Sequence, residues 1–317
     1  IGGLNEDVAI FTSGLEIYCY SIPTGQILWS KDCQSDWQYI PSISTFKDIA
    51  FVCVTPSGTS SKWSELIALD IYTGSERSIL YEDYVDGYEF GFYPPEVYIE
   101  NTGDTILLFQ KRQWNFPLSD GRVDVYAYNM TQDSLKWRVD DITASGNSSI
   151  MESIVNGMYF YFQGANSIHC IDITTGQIVW EDELIGEGFF QAQNLYADGK
   201  IFLNSESGAV FCYDAISGNQ LWGNLSCSAR PGGFGTVMAS YGDKLYLVSV
   251  PQEYSVPIHL GKYFRCMSVI SGKTLWSSGF SPSEGIIVDE KTGILYGPNA
   301  FYMHAVDLKT SPVYKPK

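Results

Sequence analysis

One short segment recurs along the whole chain. In its clearest copy, residues 168–180, apolar side chains lead into Asp172, and Gly176 and Trp180 follow at fixed distances. An Asp carboxylate can accept hydrogen bonds from the backbone N–H groups of a tight turn, and glycine adopts positive φ without a Cβ clash. The segment therefore predicts two antiparallel strands joined by a tight turn.

The segment occurs seven times. Glycine holds its turn position in five copies, and Asp133 and Ser311 hold it in the other two. The seven positions are Gly25, Gly74, Asp133, Gly176, Gly218, Gly272 and Ser311. Their mean spacing is about 48 residues, and a period of about 40–50 residues is typical of β-propellers, in which each repeat forms one blade. We predict an all-β fold: a single seven-bladed β-propeller domain over residues 1–317, with four-stranded antiparallel blades.

The strands of each blade are called A to D, from the innermost to the outermost. Tryptophan occupies one position of strand D in five copies: Trp29, Trp137, Trp180, Trp222 and Trp276. Ser78 and Lys315 occupy it in the second and seventh copies, so these outer strands are predicted to pack more loosely. Strand A is visible in the sequence for six blades. For the first blade we expect it from residues 1–4 or from residues upstream of them.

The pattern of a small residue, apolar residues, Asp-x-x-Thr-Gly and a following Trp resembles the quinoprotein-type (PQQ-like) propeller repeat. The resemblance extends over essentially the whole chain and implies that each Trp packs on the next blade. Dehydrogenases of that family have an eighth blade, an adjacent Cys-Cys pair over the quinone and a calcium site made by Glu, Asn and Asp. This sequence has seven copies and no Cys-Cys dipeptide. We therefore predict no cofactor and no metal.

Four of the seven cysteines lie six residues before the turn position: Cys19, Cys170, Cys212 and Cys266. The other copies have alanine there. A position limited to cysteine and alanine is predicted to be a small, buried contact rather than a disulfide or a metal ligand. Cys33 and Cys53 remain candidates for a pair, which leaves the redox compartment open.

Charge and hydropathy exclude two classes of partner. The formal net charge is −17 at pH 7. A phosphate backbone is bound by clustered Lys and Arg, so we predict no nucleic-acid partner. No apolar run approaches the ~18 residues of a membrane-spanning helix, so we predict no membrane insertion.

Three N-glycosylation sequons occur, at Asn129, Asn147 and Asn224. Asn129 takes the Asp position of its repeat and is assigned to the turn, which leaves Asn147 and Asn224 as the predicted glycosylation sites. The sequence begins with Ile1 rather than Met, for which a cleaved secretion signal is one explanation. These features favour an extracellular location or the lumen of the secretory pathway.

The functional surface is predicted on the side of the long B–C and D–A loops, because the C–D turns hardly vary. The predicted loop 84–95 carries five aromatic residues, and a neighbouring loop begins at Lys111. We predict a non-catalytic binding or scaffold protein that recognises a glycan or a protein partner through these loops. The predicted ligand-binding residues are Trp37, Tyr88, Phe92, Arg112 and Trp114.

A second hypothesis is an enzyme of the polysaccharide-lyase type acting at the same side. Tyr254 or His259 would transfer the proton, and Arg230 or Arg112 would neutralise a uronate. The chain has only three histidines, so the binding hypothesis is favoured.

Overall fold

The structure is a computed structural model. It describes residues 2–4, 7–13, 16–32, 43–54, 63–83, 89–93, 95–115, 120–143, 154–155, 159–163, 167–183, 195–204, 209–224, 238–249, 263–278, 286–299 and 302–309. These residues form strands and turns and contain no helix. Accordingly, no helix in this part of the chain could span a membrane.

Seven antiparallel sheets follow one another along the described chain, and each corresponds to one copy of the repeat. Sheet one contains β1 (Gly2–Leu4), β2 (Val8–Ser13), β3 (Glu16–Ser21) and β4 (Ile27–Asp32). Sheet two contains β5 (Ile43–Phe46), β6 (Ile49–Val54), β7 (Trp63–Asp70) and β8 (Glu76–Asp83). Sheet three contains β9 (Glu89–Phe92), β10 (Glu96–Ile99), β11 (Thr105–Asn115), β12 (Asp120–Asn129) and β13 (Ser134–Thr143).

The remaining four sheets repeat this order. Sheet four contains β14 (Ile154–Val155), β15 (Tyr159–Gln163), β16 (Ser167–Asp172) and β17 (Ile178–Glu183). Sheet five contains β18 (Leu195–Ala197), β19 (Lys200–Asn204), β20 (Val210–Asp214) and β21 (Gln220–Asn224). Sheet six contains β22 (Met238–Tyr241), β23 (Lys244–Ser249), β24 (Tyr263–Ser268) and β25 (Thr274–Ser278). Sheet seven contains β26 (Ile287–Asp289), β27 (Ile294–Asn299) and β28 (Tyr302–Asp307).

The all-β fold and the four-stranded antiparallel sheets predicted from the sequence are confirmed. The inner strand of sheet one comes from residues 2–4, which pair with β2, so the expectation for residues 1–4 is also confirmed. In sheet seven the described residues supply three strands. Seven sheets match the seven predicted blades, and the number of blades in the whole molecule stays a prediction.

The chain falls into two compact units. One contains Ile1–Asn147, Asn156–Met158 and Asp172–Gln177, and the other contains Ser148–Val155, Tyr159–Ile171 and Ile178–Lys317. In the first unit, apolar cores lie between sheets one and two and between sheets two and three. In the second unit, cores lie between sheets four and five, five and six, and six and seven. The single domain over residues 1–317 stays a prediction.

The C–D turns have the predicted geometry. The carboxylate of Asp172 accepts hydrogen bonds of 2.9 Å from the N–H groups of Thr174 and Thr175. Gly176 has φ +74°. The same bonds occur at Asp214, where the N–H and hydroxyl of Ser217 lower the pKa of the carboxyl group.

Four tryptophans pack on the turn of the next sheet. The pairs are Trp29 with Gly74, Trp137 with Gly176, Trp180 with Gly218, and Trp222 with Gly272. In each pair the indole N–H donates a hydrogen bond of 2.9–3.1 Å to a backbone carbonyl of that turn. A Cβ atom at any of these glycines would lie 2.4–2.8 Å from an indole carbon. The contact that the family resemblance implies is therefore present.

Sheet two lacks this tryptophan, and the assignment of its position to Ser78 is wrong. The bulge in sheet two lies two residues earlier along strand C than in sheet one, so Arg77 stands opposite Ala68. Arg77 forms an ion pair with Asp133 of sheet three, which has φ +56°. An aspartate can occupy this turn position because a guanidinium contacts it in place of an indole.

The repeat position shared by cysteine and alanine is confirmed as a small, buried contact in sheets one to six, whereas Ala305 in sheet seven is exposed. The four cysteines there are buried thiols: Cys19, Cys170, Cys212 and Cys266. Cys212 packs with Phe202 and Met238 between sheets five and six. Burial raises the pKa of the Cys212 thiol to about 12. Cys53 is also a buried thiol, and Cys33 lies outside the described residues.

Replacing Cys212 tests this packing. We expect Cys212→Ala to lower the free energy of unfolding by about 1 kcal/mol, because alanine already occupies the position in other sheets. Cys212→Leu adds volume to a closed contact and is expected to cost about 1–3 kcal/mol. Urea denaturation of both variants measures the difference. Equal unfolding free energies would show that the position is loosely packed.

Candidate functional site

Sheet three departs from the repeat by extending two of its strands. β11 and β12 pair over ten residues each, whereas the corresponding strands pair over five or six in sheets one, two, five, six and seven. An additional strand, β9, pairs with residues 111–114 of β11. We call residues 89–93, 111–115 and 120–124 the extension.

The extension corrects the prediction that residues 84–95 and 111–122 are loops. Residues 89–92, 111–115 and 120–122 are strand. They were assigned to loops because they fall between the strands that recur in the other repeats. Their polar side chains pair across strands and with sheet two, which allows them to lie within a sheet.

A carboxylate of sheet two connects that sheet to the extension. Glu82 of β8 forms an ion pair with Lys111 and accepts a hydrogen bond of 3.1 Å from the Tyr126 hydroxyl. Lys111 is 7% exposed and Tyr126 is 1% exposed. Burial raises the pKa of the Tyr126 hydroxyl, so it remains a donor. The extension is therefore anchored to sheet two as well as to its own sheet.

A second carboxylate, Asp124, lies near the Glu82–Lys111 ion pair. It accepts hydrogen bonds from Gln113 Nε2 at 2.8 Å, Arg138 Nη2 at 3.1 Å and the N–H of Asp141 at 3.0 Å. Burial raises the pKa of Asp124, and the N–H of Asp141 and the Arg138 guanidinium oppose that shift. Asp141 has φ +50° and lies where the β12–β13 register shifts. Asp124 thus joins β11, β12 and β13 at one point.

Phe92, predicted to bind a ligand, is fully buried. Its ring packs edge-to-face on Phe109 and Tyr126, with centroids 5.7 and 6.0 Å away. Its N–H donates a hydrogen bond of 3.2 Å to the Ser64 hydroxyl. The ligand-binding assignment of Phe92 is corrected to core packing, because strand alternation directs the side chain between sheets two and three.

Arg112 is the predicted site residue whose side chain the structure places at the surface. It is half-buried, and its Nη1 donates a hydrogen bond of 2.7 Å to the Tyr93 hydroxyl. The guanidinium carbon lies 5.3 Å from the centre of the Tyr93 ring. Two contacts therefore fix the orientation of the guanidinium. Trp114 lies two residues further along β11, where its backbone pairs with Gly121 and Glu89.

Several predicted residues lie outside the described part of the chain and stay predictions: Trp37, Tyr88, Asn147, Arg230, Tyr254 and His259. Three residues of the site were not predicted from the sequence: Glu82, Asp124 and Tyr93. The alternation of polar and apolar residues from Arg122 to Tyr128 was a signal for strand, but no local signal showed that Glu82 of the preceding repeat reaches this point.

Two sequon asparagines are described. Nδ2 of Asn224, the atom that would carry a glycan, donates a hydrogen bond of 2.6 Å to the Gly272 carbonyl. Glycosylation of Asn224 stays a prediction. Asn129 Oδ1 accepts a hydrogen bond of 2.9 Å from the N–H of Gln132, which confirms that this side chain holds its turn.

His169 forms a polar cluster in sheet four. Its Nε2 lies 2.8 Å from Ser167 Oγ, and its Nδ1 lies 3.2 Å from a Glu181 carboxylate oxygen. Burial lowers the pKa of the imidazole, and Glu181 opposes this. At 5% exposure the ring is a packing residue on strand C, as the repeat predicted.

The residues present do not fit the quinone and calcium site of the dehydrogenases. The sequence has no adjacent cysteines, and the five described cysteines are buried. Within the described ranges, no three His, Cys, Asp or Glu side chains group as metal ligands.

Comparison with known proteins gives a family and a fold. A family model described as "Outer membrane protein assembly factor BamB" matches residues 119–278. By sequence, no curated protein matches the chain. Among solved structures, BamB from Moraxella catarrhalis has a TM-score of 0.62 at 14% identity, covering 96% of this chain and 80% of that protein.

Two quinohemoprotein alcohol dehydrogenases are also similar. The enzyme from Pseudomonas putida HK5 has a TM-score of 0.63 at 11% identity, and the one from Comamonas testosteroni has 0.61 at 12%. Each match covers 96% of this chain, which spans 64% of the dehydrogenase's length. At such identities the likeness shows the fold alone. Together with the match over about half of its residues, it establishes that the chain belongs to the PQQ-like repeat family of β-propellers.

Proposed function

We propose that this protein is a non-catalytic binding or scaffold protein that recognises a protein partner through the extension of sheet three. The observation that carries the proposal is the extension itself. It lengthens one hairpin to ten residue pairs and adds a strand, features that the other described sheets lack. Functional surfaces concentrate where a rigid repeat frame is locally elaborated.

The charge of the extension suits an approaching partner. The extension carries three Lys or Arg and three Asp or Glu, so its formal charge is zero in a chain of net charge −17. Two of the six arginines lie here, Arg112 and Arg122. A partner that the rest of the molecule would repel can therefore approach this region without net repulsion.

The Arg112–Tyr93 pair supplies a recognition group. Arg and Tyr are enriched among residues that dominate interface affinity, and a guanidinium held over a ring loses little freedom on binding. A planar guanidinium also suits the carboxylates of a protein segment. Because this recognition group suits a protein segment, we favour a protein partner over a glycan. Trp37 and Tyr88, on which the glycan hypothesis mainly depends, lie outside the described residues.

The family supports a scaffold role. Its model is described as an assembly factor, and BamB from Moraxella catarrhalis is a structural neighbour. An assembly factor works by binding other proteins, and the same kind of role is proposed for this chain. The secretory or extracellular location remains a prediction from the sequons at Asn147 and Asn224.

Substitutions in the extension test the proposal. A pull-down screen with the full chain first identifies a partner, with a glycan array run in parallel. We expect Arg112→Ala and Trp114→Ala each to weaken binding to that partner by about 1–3 kcal/mol, since interface anchors behave in this way. Binding isotherms and melting curves are recorded on the same variants.

Tyr296→Ala is the matched control, because Tyr296 is an exposed aromatic residue on sheet seven. It should leave affinity unchanged. Unchanged affinity with a lowered melting temperature in the extension variants would assign their residues to structure. Retention of a glycan in place of a protein would contradict the proposed partner class.

A further inference from the structure

The C–D turns and outer strands of sheets five and six carry exposed apolar side chains, none of which belongs to the extension. Ile216 is 71% exposed and Ile270 is 76% exposed, and both lie at the tips of C–D turns. Leu221 and Leu275 follow on strand D, each 48% exposed. We call these four residues the apolar strip.

Contacts between sheets five and six place two members of the apolar strip, Leu221 and Ile270, next to one packing contact. Leu221 precedes Trp222, whose indole packs on the turn of sheet six and donates a 2.9 Å hydrogen bond to the Val269 carbonyl. Ile270 is the next residue after Val269. Leu221 of one sheet and Ile270 of the next are thus held beside the same contact.

The fold does not require apolar residues at these positions. Thr131 and Thr174 occupy the position of Ile216 in the turns of sheets three and four, and both are exposed. At the bulge position of Leu221, sheet three has Lys136, whereas sheets one and four have the exposed apolar residues Leu28 and Val179. Polar residues occupy the same positions in other sheets, so the packing of the fold does not explain why the apolar strip is apolar. Exposing it to water is unfavourable.

We propose that the apolar strip is a docking site for an extended apolar segment of another protein. Four side chains that are half to three-quarters exposed present a few hundred Å² of surface. A stable dimer buries about 800 Å² on each partner, so this area fits a short segment better than a second folded copy.

The charge of the protein also argues against a second folded copy as the occupant of the apolar strip. Residues 214–222 and 268–276 contain one anionic and one cationic residue, Asp214 and Lys273, so attraction at the apolar strip is apolar rather than ionic. Two copies of net charge −17 would repel each other around so small a contact, and an anionic membrane would repel the protein in the same way.

The test uses the full chain and a phage-displayed library of random peptides. We expect selection of peptides rich in apolar residues, and at least a tenfold loss of their affinity in the I216T/I270T double variant. Threonine already occupies this position in two turns, so the variant should melt as the parent does. Leu221→Lys, which introduces the residue found in sheet three, is a second variant with the same expected loss. Ile22→Thr removes an exposed isoleucine from the turn of sheet one, one residue before the position of Ile216 and Ile270, and is the control that should bind normally.

Four results would overturn the proposal. Selected peptides could bind the double variant as well as the parent, or selection could yield no apolar peptide. Sedimentation could show a dimer that the double variant abolishes, which would assign the apolar strip to a second copy. Phosphatidylcholine vesicles could bind the parent and not the variant, which would assign it to lipid. Peptides whose affinity responds only to Arg112→Ala would belong to the extension, so the two proposals can fail separately.

Discussion

Replacing Gly272 with alanine is expected to lower the free energy of unfolding by about 2–4 kcal/mol. Gly272 has φ +65°, which costs an alanine about 1–2 kcal/mol. A Cβ atom there would also lie 2.4 Å from Cε3 of Trp222. The indole is held by its hydrogen bond to the Val269 carbonyl, so relief requires sheets five and six to move apart. Chemical denaturation of parent and variant measures the loss.

The Gly25→Ala variant separates the backbone cost of positive φ from the clash with tryptophan. Gly25 has φ +67° at the same repeat position, but a Cβ atom added there would meet no other atom within 4 Å. We expect this control to lose only the backbone part, about 1–2 kcal/mol. Equal losses in the two variants would show that the tryptophan contact contributes nothing to the requirement for glycine.

Replacing Asp124 with alanine is expected to cost about 2–3 kcal/mol, because it removes a buried acceptor and leaves its donors unpaired. The Asp124 side chain is 2% exposed, and its loss would leave the Gln113 amide and the N–H of Asp141 without this acceptor. Arg138 is 38% exposed and still pairs with Asp140. Denaturant unfolding gives the stability. Hydrogen exchange of residues 111–115 and 120–124 should show that the extension loses protection.

Asp140→Ala is the control for this prediction. Asp140 also pairs with Arg138, but its side chain is 62% exposed. An exposed ion pair contributes little, so we expect a change within about 0.5 kcal/mol. A similar loss in both variants would mean that burial of Asp124 does not decide its contribution.

Much of the fold could be predicted because it rests on local chemistry that repeats. Asp172 and Gly176 define their turn through residues two to four positions apart, so the pattern was visible in the sequence. Cys212 and its equivalents were assigned correctly because comparison of repeats shows which sizes a position accepts. The chain itself supplied the comparison.

The site was less predictable because its contacts cross repeats. Glu82 lies 29 residues before Lys111, and nothing local indicates that the two meet. Phe92 was counted among the loop aromatics because the repeat places it between strand D of sheet two and strand A of sheet three, and β9 is additional to the four strands of the repeat. Arg77 replaced Ser78 opposite Ala68 because a bulge moved by two residues, and register is set by pairing rather than by spacing.

The sequence by itself determined the repeat, the turns, the tryptophan positions and the family resemblance, since each depends on residues close together in the chain or on their recurrence. Only the tertiary structure decided that residues 89–92, 111–115 and 120–122 extend sheet three, that Phe92 is core, and that Leu221 and Ile270 lie beside a shared contact. The physical reason is that burial and charge pairing depend on the neighbours that folding supplies. Those neighbours come from other repeats, so the spacing of residues within one repeat does not indicate them.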